Sequence, residues 1–314
     1  MSIFSLPQAA ITLLAVFTTS HCIAEQTGEG RRLLIADDSK HRLAIISADD
    51  KTEWEIKVDG IHDAWLLPSG NLLTQMGWGR LVEFNAKKEI VWEYDAAKMN
   101  GNDGHRMEVH AFQPLDNGLI MIAESGPARI IEIDRAGKIQ HEMKLKVAHP
   151  SAHSETRLVR KIANGNYLVA QEGDGIVREY SMDGGIVWEF PIPMFGKEPK
   201  GGHGPEAFGN SVFMATRLPN GNTLIGTGNG HSVLEVTPDK QIVWKIEQND
   251  LPGITLAWVT RVTRLPNGNT LIGNCHAGPE NPQFIEVTRD KKVVWTFKDF
   301  ERFGNSTPVQ IALD

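Results

Sequence analysis

Several features that would assign the chain to a large protein class are missing from its sequence. It has only two cysteines, Cys22 and Cys275, and Cys22 lies in the N-terminal segment, so the remainder can form no internal disulfide. It has no block of basic residues, and its formal net charge is −7. This argues against nucleic acid or an anionic membrane surface as a partner. The glycine-rich motifs of P-loop and dinucleotide-binding proteins do not occur.

The N-terminal segment resembles a secretory signal. Residues 8–18 are an apolar run too short to span a bilayer, and no apolar run of spanning length follows. Cys22 and Ala24 are small residues at the positions expected before cleavage after Ala24. We therefore predict a signal peptide over residues 1–24 and one domain over residues 25–314, periplasmic or secreted and without membrane insertion. Lipid anchoring through Cys22 is less favoured, because His21 precedes it.

Glycine is abundant, and a phrase is repeated. RLPNGNTLIG occurs at Arg217–Gly226 and at Arg264–Gly273, each time followed by a stretch that ends in Val-Trp. Residues 65–92, 113–141 and 160–188 match the same pattern. Asn-Gly between apolar runs predicts a hairpin with a type I′ turn. We interpret each unit as a four-stranded antiparallel meander, whose fourth strand ends in Trp92, His141, Trp188, Trp244 or Trp295.

A sixth unit is divided between the two ends of the chain. The N-terminal part offers three strands, RRLLIADD, RLAIIS and EWEI, and lacks a first strand. The C-terminal TPVQIALD reads as a first strand with nothing after it. Joining them closes a ring and removes two exposed sheet edges. The fold class predicted is therefore all-β, a six-bladed β-propeller closed by the C-terminal strand. An open stack of meanders is the alternative.

The propeller geometry sorts the connections onto two faces. The turn face carries the tight first-to-second and third-to-fourth turns, which we interpret as turn chemistry and nothing more. The loop face carries the second-to-third hairpins and the long connections between blades, where sites are usually built. Nine of the histidines after residue 24 fall on the loop face: His41, His62, His105, His110, His149, His153, His203, His231 and His276.

One position at the start of the inner strand faces the channel mouth in every unit. It is occupied by His62, His110, Arg157, Phe213, Thr260 and Pro308. We predict catalytic roles for His62, His110, Arg157 and His153. Ligand-binding roles are predicted for Glu108, Arg106, Glu155, Trp258, Arg261 and Gln310.

Three interpretations of this cluster remain open. The polar groups could simply satisfy strand ends. They could form a pocket for an anionic or aromatic ligand, with arginine as a charged donor and an imidazole as base or nucleophile. They could hold a metal, although no local spacing supports one. We interpret His231 and His276 as solvated rim residues, Cys275 as a strand-end thiol, and Gly202–Asn210 as a flap.

Two stretches carry a family resemblance. GIHDAWLLPSGNLL (Gly60–Leu73) resembles a phrase of the bacterial arylsulfate sulfotransferases, and VLEVTPDKQIVWKI (Val233–Ile246) is similar to that family and to quinoprotein-like propellers. The resemblance implies an exported six-bladed propeller that moves a sulfuryl group between phenols through a sulfated histidine. It maps onto His62, His110 and Arg157 with His153. A preceding β-sandwich, a disulfide and a third channel histidine are not found here.

The function predicted is an exported propeller with a small-molecule pocket, with sulfuryl transfer as the reaction if it is an enzyme. The rival is a non-catalytic envelope scaffold or a protein- or glycan-binding propeller, with Trp65, Trp78 and Trp258 suited to sugar stacking. A metal-dependent lyase or hydrolase is third. No ligand set for Ca²⁺ or pyrroloquinoline quinone is visible, so neither a cofactor nor a metal is predicted.

Overall fold

The computed structural model describes Met1, residues 25–27 and residues 29–313. The predicted signal segment therefore lies outside the described residues, apart from Met1. The described chain forms six antiparallel sheets, each of which supplies one four-stranded blade. The predicted six-bladed propeller is confirmed. Within these residues no helix has the length and apolar character needed to cross a membrane.

The strands follow the chain in order around the ring. A short strand β1 (Glu25–Thr27) comes first. Blade 1 takes β2 (Leu33–Asp37), β3 (Arg42–Ile46) and β4 (Thr52–Lys57). Blade 2 consists of β5 (Ala64–Leu66), β6 (Leu72–Gln75), β7 (Arg80–Phe84) and β8 (Ile90–Asp95). Blade 3 consists of β9 (Glu108–Pro114), β10 (Ile120–Ser125), β11 (Arg129–Ile133) and β12 (Ile139–Lys144).

The second half of the ring repeats this order. Blade 4 consists of β13 (Val159–Lys161), β14 (Tyr167–Gln171), β15 (Ile176–Tyr180) and β16 (Ile186–Pro191). Blade 5 consists of β17 (Met214–Arg217), β18 (Thr223–Gly226), β19 (Val233–Val236) and β20 (Ile242–Ile246). Blade 6 consists of β21 (Trp258–Arg264), β22 (Thr270–Cys275), β23 (Phe284–Val287) and β24 (Val293–Lys298). The last strand is β25 (Val309–Ala312).

The C-terminal strand closes the ring, as the split sixth unit predicted. β25 pairs antiparallel with β2, so that Val309 lies opposite Ala36 and Ala312 opposite Leu33. One strand was not predicted. β1 pairs antiparallel with the outer strand β24 and makes blade 6 five-stranded.

The three inner strands and the outer strand of a blade differ in burial. In blade 2, β6 is buried throughout and β7 nearly so, whereas β8 alternates between exposed and covered positions. This follows from the ring, because inner strands are sandwiched between neighbouring blades and outer strands have one face in water. The ring-bearing residue does not end the fourth strand as predicted. Trp92 is the third residue of β8, and the strand continues to Asp95.

The repeated Asn-Gly turns, and the Ser-Gly turn that takes their place in blade 2, also differ from the predicted type I′ geometry. In the turn after β5, the amide of Leu67 donates to the carbonyl of Asn71, and the amide of Gly70 donates to the carbonyl of Leu67. Only Gly70, with φ of 82°, has positive φ in this turn. The loop therefore has three residues, a type I turn followed by a left-handed glycine. Pro68 fits the second position of such a turn because its ring fixes φ near −65°.

The repeated tryptophan fastens each blade to the next. Trp92 donates from Nε1 to the carbonyl of Arg135 at 2.8 Å, and Trp244 does the same to Arg289 at 2.8 Å. The arginine then lies over the ring, 5.0 Å from the centroid in blade 2 and 5.1 Å in blade 5. A glutamate opposite the tryptophan, Glu83 in blade 2, accepts a hydrogen bond from the same arginine. We call this arrangement the blade clasp.

Three units lack the hydrogen bond of the clasp within the described residues. Trp54 of blade 1 makes only a ring contact with Phe84 of blade 2, with ring centroids 6.1 Å apart. His141 stands in the tryptophan position of blade 3 and stacks on Tyr167 of blade 4, with ring centroids 6.1 Å apart. Its Nε2 is buried and has no hydrogen-bond partner among the described residues. The indole Nε1 of Trp295 in blade 6 is likewise buried and without such a partner in the described chain.

This difference predicts unequal costs for the same substitution. Trp244→Phe removes a buried indole and a hydrogen bond, whereas Trp295→Phe removes a similar ring volume and no bond. We expect Trp244→Phe to lower the free energy of unfolding by about 1 kcal/mol more than Trp295→Phe. Urea unfolding of the two variants measures this, and equal losses would contradict a role for the Nε1 bond.

Candidate functional site

The inner-strand position brings residues of all six blades to the channel mouth on the loop face. A cavity of about 200 Å³ lies there, and five of the six residues at this position line it: His62, Arg157, Phe213, Thr260 and Pro308. The sixth, His110, is only 1% exposed and lies behind His62. Trp78, from the hairpin after β6, adds a further wall, with its ring centroid 4.9 Å from that of His62.

Three histidines and a glutamate form one hydrogen-bonded network beside this cavity. The Nδ1 atoms of His62 and His110 are 2.7 Å apart. Nε2 of His110 is 3.1 Å from a carboxylate oxygen of Glu108, and Nδ1 of His153 is 2.7 Å from the same oxygen. His153 stands in the connection between blades 3 and 4 and is half exposed. The structure thus brings the predicted His62, His110 and His153 together around Glu108.

The partners of this network assign the protons on both channel histidines. A carboxylate can only accept, so Nε2 of His110 carries the proton that it donates to Glu108. Nδ1 of His110 is then an acceptor, and Nη1 of Arg157 donates to it at 2.9 Å. His62 therefore carries its proton on Nδ1 and donates it to His110. Its Nε2 keeps a free lone pair and has no hydrogen-bond partner among residues 29–313.

The charges fix the protonation of these groups at neutral pH. Burial, together with nearby His110 and Arg157, lowers the pKa of His62 well below 6.5. Burial and Arg157 also lower the pKa of His110 to about 3. The hydrogen bond from His110, with that from His153, holds the pKa of Glu108 at about 2. At pH 7 His62 and His110 are therefore neutral imidazoles and Glu108 is an anionic carboxylate.

Arg157 supplies a fixed cation at the cavity wall. Its Nε donates to Glu172, and its Nη1 lies 2.9 Å from Nδ1 of His110 and 3.4 Å from Nδ1 of His62. Its side chain is only 5% exposed. Because Glu172 orients one edge of the guanidinium, the other edge is held at the histidine pair.

The opposite wall of the cavity is aromatic. The ring of His203, from the predicted flap, lies 4.7 Å from that of Trp258 and 5.0 Å from that of His276. Burial and neighbouring His203 lower the pKa of His276 to about 4. His276 therefore lines the cavity, and its interpretation as a solvated rim residue is wrong. Cys275 also lines it, and burial raises the pKa of this thiol to about 12, so it is no ready nucleophile.

The interpretation of His231 as a solvated rim residue is also wrong. It is fully buried, with Nδ1 2.6 Å from the carbonyl of Ala257 and Nε2 2.5 Å from the carbonyl of Ala207. It therefore holds the flap against blade 6 instead of standing in solvent. A single histidine in a Gly-rich hairpin gave no signal of these two distant carbonyls.

Three of the predicted ligand-binding residues, Glu155, Gln310 and Arg106, do not line the cavity. The carboxylate of Glu155 accepts from the amides of Gly126 and Ser151 and anchors a loop. Gln310 is buried against Thr260 in the neighbouring blade, where it ties the closing strand to blade 6. Arg106 reaches Glu108 at 3.4 Å, but its side chain is 79% exposed.

Arg261 lies at the other end of the channel from its predicted place. Its Nη2 donates to Asp63 of blade 2, which is separated from blade 6 by blade 1. Arg160 of blade 4 makes two hydrogen bonds to the same carboxylate, at 2.8 and 3.0 Å. We call these three residues the channel bridge. Trp65, predicted to face the loop side, lies below the bridge, with Arg160 4.8 Å over its ring.

Asp63 is fully buried and remains anionic in this bridge. Burial alone would raise the pKa of its carboxyl group, but Arg160 and Arg261 outweigh that effect and lower it. The amides of Ala64 and Phe112 donate to it as well. The sequence around His62 gives no sign of a role for this aspartate, because its two arginine partners are 97 and 198 residues away.

Part of the histidine network has the composition of a metal site. Ligand atoms of Glu108, His110 and His153 all lie within 4.8 Å of one another, the one such group found within the described ranges. A metal on Nε2 of His110 would displace its proton to Nδ1. That nitrogen now accepts from Arg157 and His62, so both histidines would have to change tautomer. The arrangement therefore suits either a metal or a free lone pair on His62.

Comparison with known proteins now places the chain. A family profile described as outer membrane protein assembly factor BamB (PQQ_2) matches residues 39–297. The chain belongs to this family. Its quinoprotein-like relationship, the broader part of the resemblance seen in the sequence, is thereby confirmed. No curated protein shows significant similarity to the chain.

Solved structures share the family's fold at low identity. A protein of unknown function from Bacteroides caccae is 22% identical, with a TM-score of 0.72 over 88% of this chain and 97% of that one. Virginiamycin B lyase from Staphylococcus aureus is 14% identical, with a TM-score of 0.56 over 87% of each chain. A streptogramin B lyase is 13% identical, with a TM-score of 0.58 over 88% of each chain.

The channel bridge predicts a large effect for one substitution. Asp63→Asn keeps the side-chain shape but leaves two buried guanidinium groups without their shared anion. We expect it to lower the free energy of unfolding by about 3–5 kcal/mol in urea titrations. Asp59→Asn is the control, because Asp59 is exposed and pairs only with the exposed His41. A loss below 1 kcal/mol for Asp63→Asn would show that the bridge is not needed.

Proposed function

We propose that the cavity on the loop face binds a small aromatic anion and that His62 accepts a sulfuryl group from it. The observation that carries the proposal is the free lone pair on Nε2 of a neutral His62, beside the fixed cation of Arg157. A neutral imidazole can attack, and a protonated one cannot.

The cavity walls support an aromatic substrate. Trp78, Phe213 and Trp258 surround His62, and the volume of about 200 Å³ suits a ligand of about one ring. Ring–ring contacts of this kind favour a flat apolar body. Arg157 would pair with the oxygens of a sulfate ester through its charge and through Nη2, the nitrogen that neither Glu172 nor the two histidines engage.

The hydrogen-bond chain behind His62 gives a balanced first step. Nε2 of His62 attacks the sulfur of an aryl sulfate, the sulfur–oxygen bond to the aryl group breaks, and the aryloxide leaves. As the N–S bond forms, the Nδ1 proton of His62 becomes acidic, and Nδ1 of His110 at 2.7 Å can accept it. Glu108 then stabilises the positive charge on His110.

The second step returns the site to its starting state. An acceptor phenol attacks the sulfur, the N–S bond breaks, and the Nδ1 proton returns from His110 to His62. The phenol gives up its proton, and the departed aryloxide gains one. His153 is half exposed and hydrogen-bonded to Glu108, so it is the residue we propose to exchange these protons with solvent. Arg157 stabilises the charge that builds on the sulfuryl oxygens in both steps.

A metal-dependent lyase or hydrolase is the second candidate. It rests on the Glu108, His110 and His153 group and gains some support from the shared fold of the virginiamycin B lyase. Three ligands with an open fourth position suit a catalytic metal. The two candidates exclude each other at one atom, because a metal on His110 would remove the free lone pair of His62.

Turnover of 4-nitrophenyl sulfate with phenol as acceptor tests the proposal. We expect acceptor-dependent nitrophenol release from the wild type, and a loss of about a hundredfold or more in His62→Ala. His149→Ala is the matched control, because His149 is exposed, pairs with Asp174 and lies outside the cavity. It should keep full activity.

The same assay separates the alternatives. Added Zn²⁺ should inhibit sulfuryl transfer, whereas a chelator should leave it unchanged. Equal release from wild type and His62→Ala would refute the nucleophile. No release from the folded wild type would refute sulfuryl transfer of this substrate, and metal analysis of that protein would then separate the lyase from a non-catalytic scaffold or a glycan-binding propeller.

The low pKa of His62 predicts an unusual pH profile. An ordinary imidazole would become protonated as the pH falls through 6.5 and the rate would fall with it. His62 has a pKa well below 6.5, so its neutral fraction stays near one. We expect kcat/KM for 4-nitrophenyl sulfate to stay level as pH falls from 8 through 6.5, with samples quenched into alkali before reading. Halving of kcat/KM near pH 6.5 would argue against the protonation state we assign.

A further inference from the structure

A second and larger cavity opens on the turn face, where the sequence predicted only tight turns. Its volume is about 1350 Å³, and it lies between the ends of the inner strands of blades 4, 5 and 6. The channel bridge forms its floor, since Arg160 and Arg261 both line it. It is therefore separated from His62 by the bridge and is not part of the site proposed above.

The floor of this cavity carries an uncompensated positive charge. Arg160 and Arg261 share one carboxylate, that of Asp63, which leaves one net positive charge. Arg261 has only 10% of its side chain exposed. Burial lowers its pKa, yet a guanidinium keeps its proton in proteins. Such a charge is costly without an anion nearby.

Arg261 also has an unused donor. Its Nε–H is buried and has no hydrogen-bond partner among the described residues. Buried donors of charged groups are nearly always satisfied, and leaving one unpaired destabilises the fold. Both the charge and the unpaired N–H call for the same missing group, an oxyanion at Arg261.

The walls of the cavity add little net charge. Charged residues lining the cavity are five cations and one acid: Arg160, Lys161, Arg217, Arg261, Arg264 and Glu179. Three of the cations are balanced by glutamates, since Lys161 pairs with Glu132 and Arg217 with Glu179, and Arg264 pairs with Glu235. The net positive charge of the cavity therefore lies at its floor, although the chain as a whole has a formal net charge of −7.

Much of the uncharged lining is apolar. Leu158, Met214 and Val262 stand close to Arg261 in the fold, and Trp65 forms a further side. We propose that this cavity binds a small organic anion, with its carboxylate or sulfonate group on Arg261 and its apolar body against these side chains. The proposal does not depend on any step of sulfuryl transfer.

Calorimetric titration with naphthalene-2-sulfonate tests the site. The neutral naphthalene-2-sulfonamide has nearly the same shape, and 2-naphthoate separates a carboxylate from a sulfonate head group. We expect the wild type to bind at least one of the two anions about tenfold or more tighter than the sulfonamide. Binding of the sulfonamide with equal affinity would overturn the proposal.

Arg261→Met is the decisive variant. It leaves Asp63 and Arg160 as a balanced pair, so we expect it to fold, with no loss of stability in urea, and to lose the preference for the anion. Arg264→Gln, in the wall of the same cavity, is the matched control, because its partner Glu235 keeps Arg289. It should keep the anion affinity within about twofold. Should Arg261→Met fail to fold, Arg261→Lys, which keeps the charge and loses the second donor edge, replaces it and should weaken the anion several-fold.

His62→Ala locates the bound probe. The loop-face cavity suits a ligand of about one ring, so the two-ring probe should bind on the turn face, and its affinity in His62→Ala should match that of the wild type. Loss of binding in His62→Ala with retention in Arg261→Met would place the probe on the loop face and overturn the proposal. Neither result bears on nitrophenol release, so the anion-binding proposal and the sulfuryl-transfer proposal are tested separately.

Discussion

A single carboxylate, that of Asp63, joins three blades across the channel. It accepts from Arg160 of blade 4 and Arg261 of blade 6, while belonging to blade 2 itself. Most contacts of the strands that border the channel are with their neighbours in the ring. The bridge therefore limits how far alternate blades can move apart. It also divides the channel into a small cavity above and a large cavity below, and Asp63 follows His62 directly in the chain. The position of His62, the proposed nucleophile, therefore depends on the ion pairs that its neighbour Asp63 makes with Arg160 and Arg261.

The blade clasp explains why the chain repeats certain residues. Each repeated glutamate lies opposite a repeated ring within its blade, and both reach the adjoining blade. In blade 5, Glu235 holds Arg264 and Arg289, and Trp244 bonds the backbone at Arg289. Removing one partner would leave a charge nearly buried between two sheets. His141 shows that the ring can change when a stacked tyrosine replaces the lost hydrogen bond.

The fold could be read from the sequence because propeller blades repeat in register. The repeated turns fix the inner-strand position, and His62, Arg157 and Phe213 do meet at one cavity. Contacts between blades could not be read in this way. Arg261 was placed by its distance from a turn, but the pairing of β21 with β22 shifts register between Val259 and Val262, and counting from the turn does not show this bulge. Its true partner depends on a charge 198 residues away.

The sequence also predicted the two faces of the propeller unequally well. Loop length and histidine count drew attention to the loop face, where the smaller cavity lies. The turn face has short, regular loops, and nothing in their sequence shows that the inner strands of three blades splay around 1350 Å³. The proton positions on His62 and His110 were equally hidden. They follow from Glu108 and Arg157 acting on opposite edges of one ring.

The closing strand has a consequence for how the chain reaches this state during synthesis. Blade 1 receives its inner strand from Val309–Ala312, whereas its next strand begins at Leu33. Blades 2 to 5 can form while the chain is still being made, because each is local in sequence. Blade 1 stays incomplete, with the edge of β2 unpaired, until Val309–Ala312 has emerged. The ring is therefore closed only after the other five blades have been made, and until then the molecule is an open arc with one exposed sheet edge.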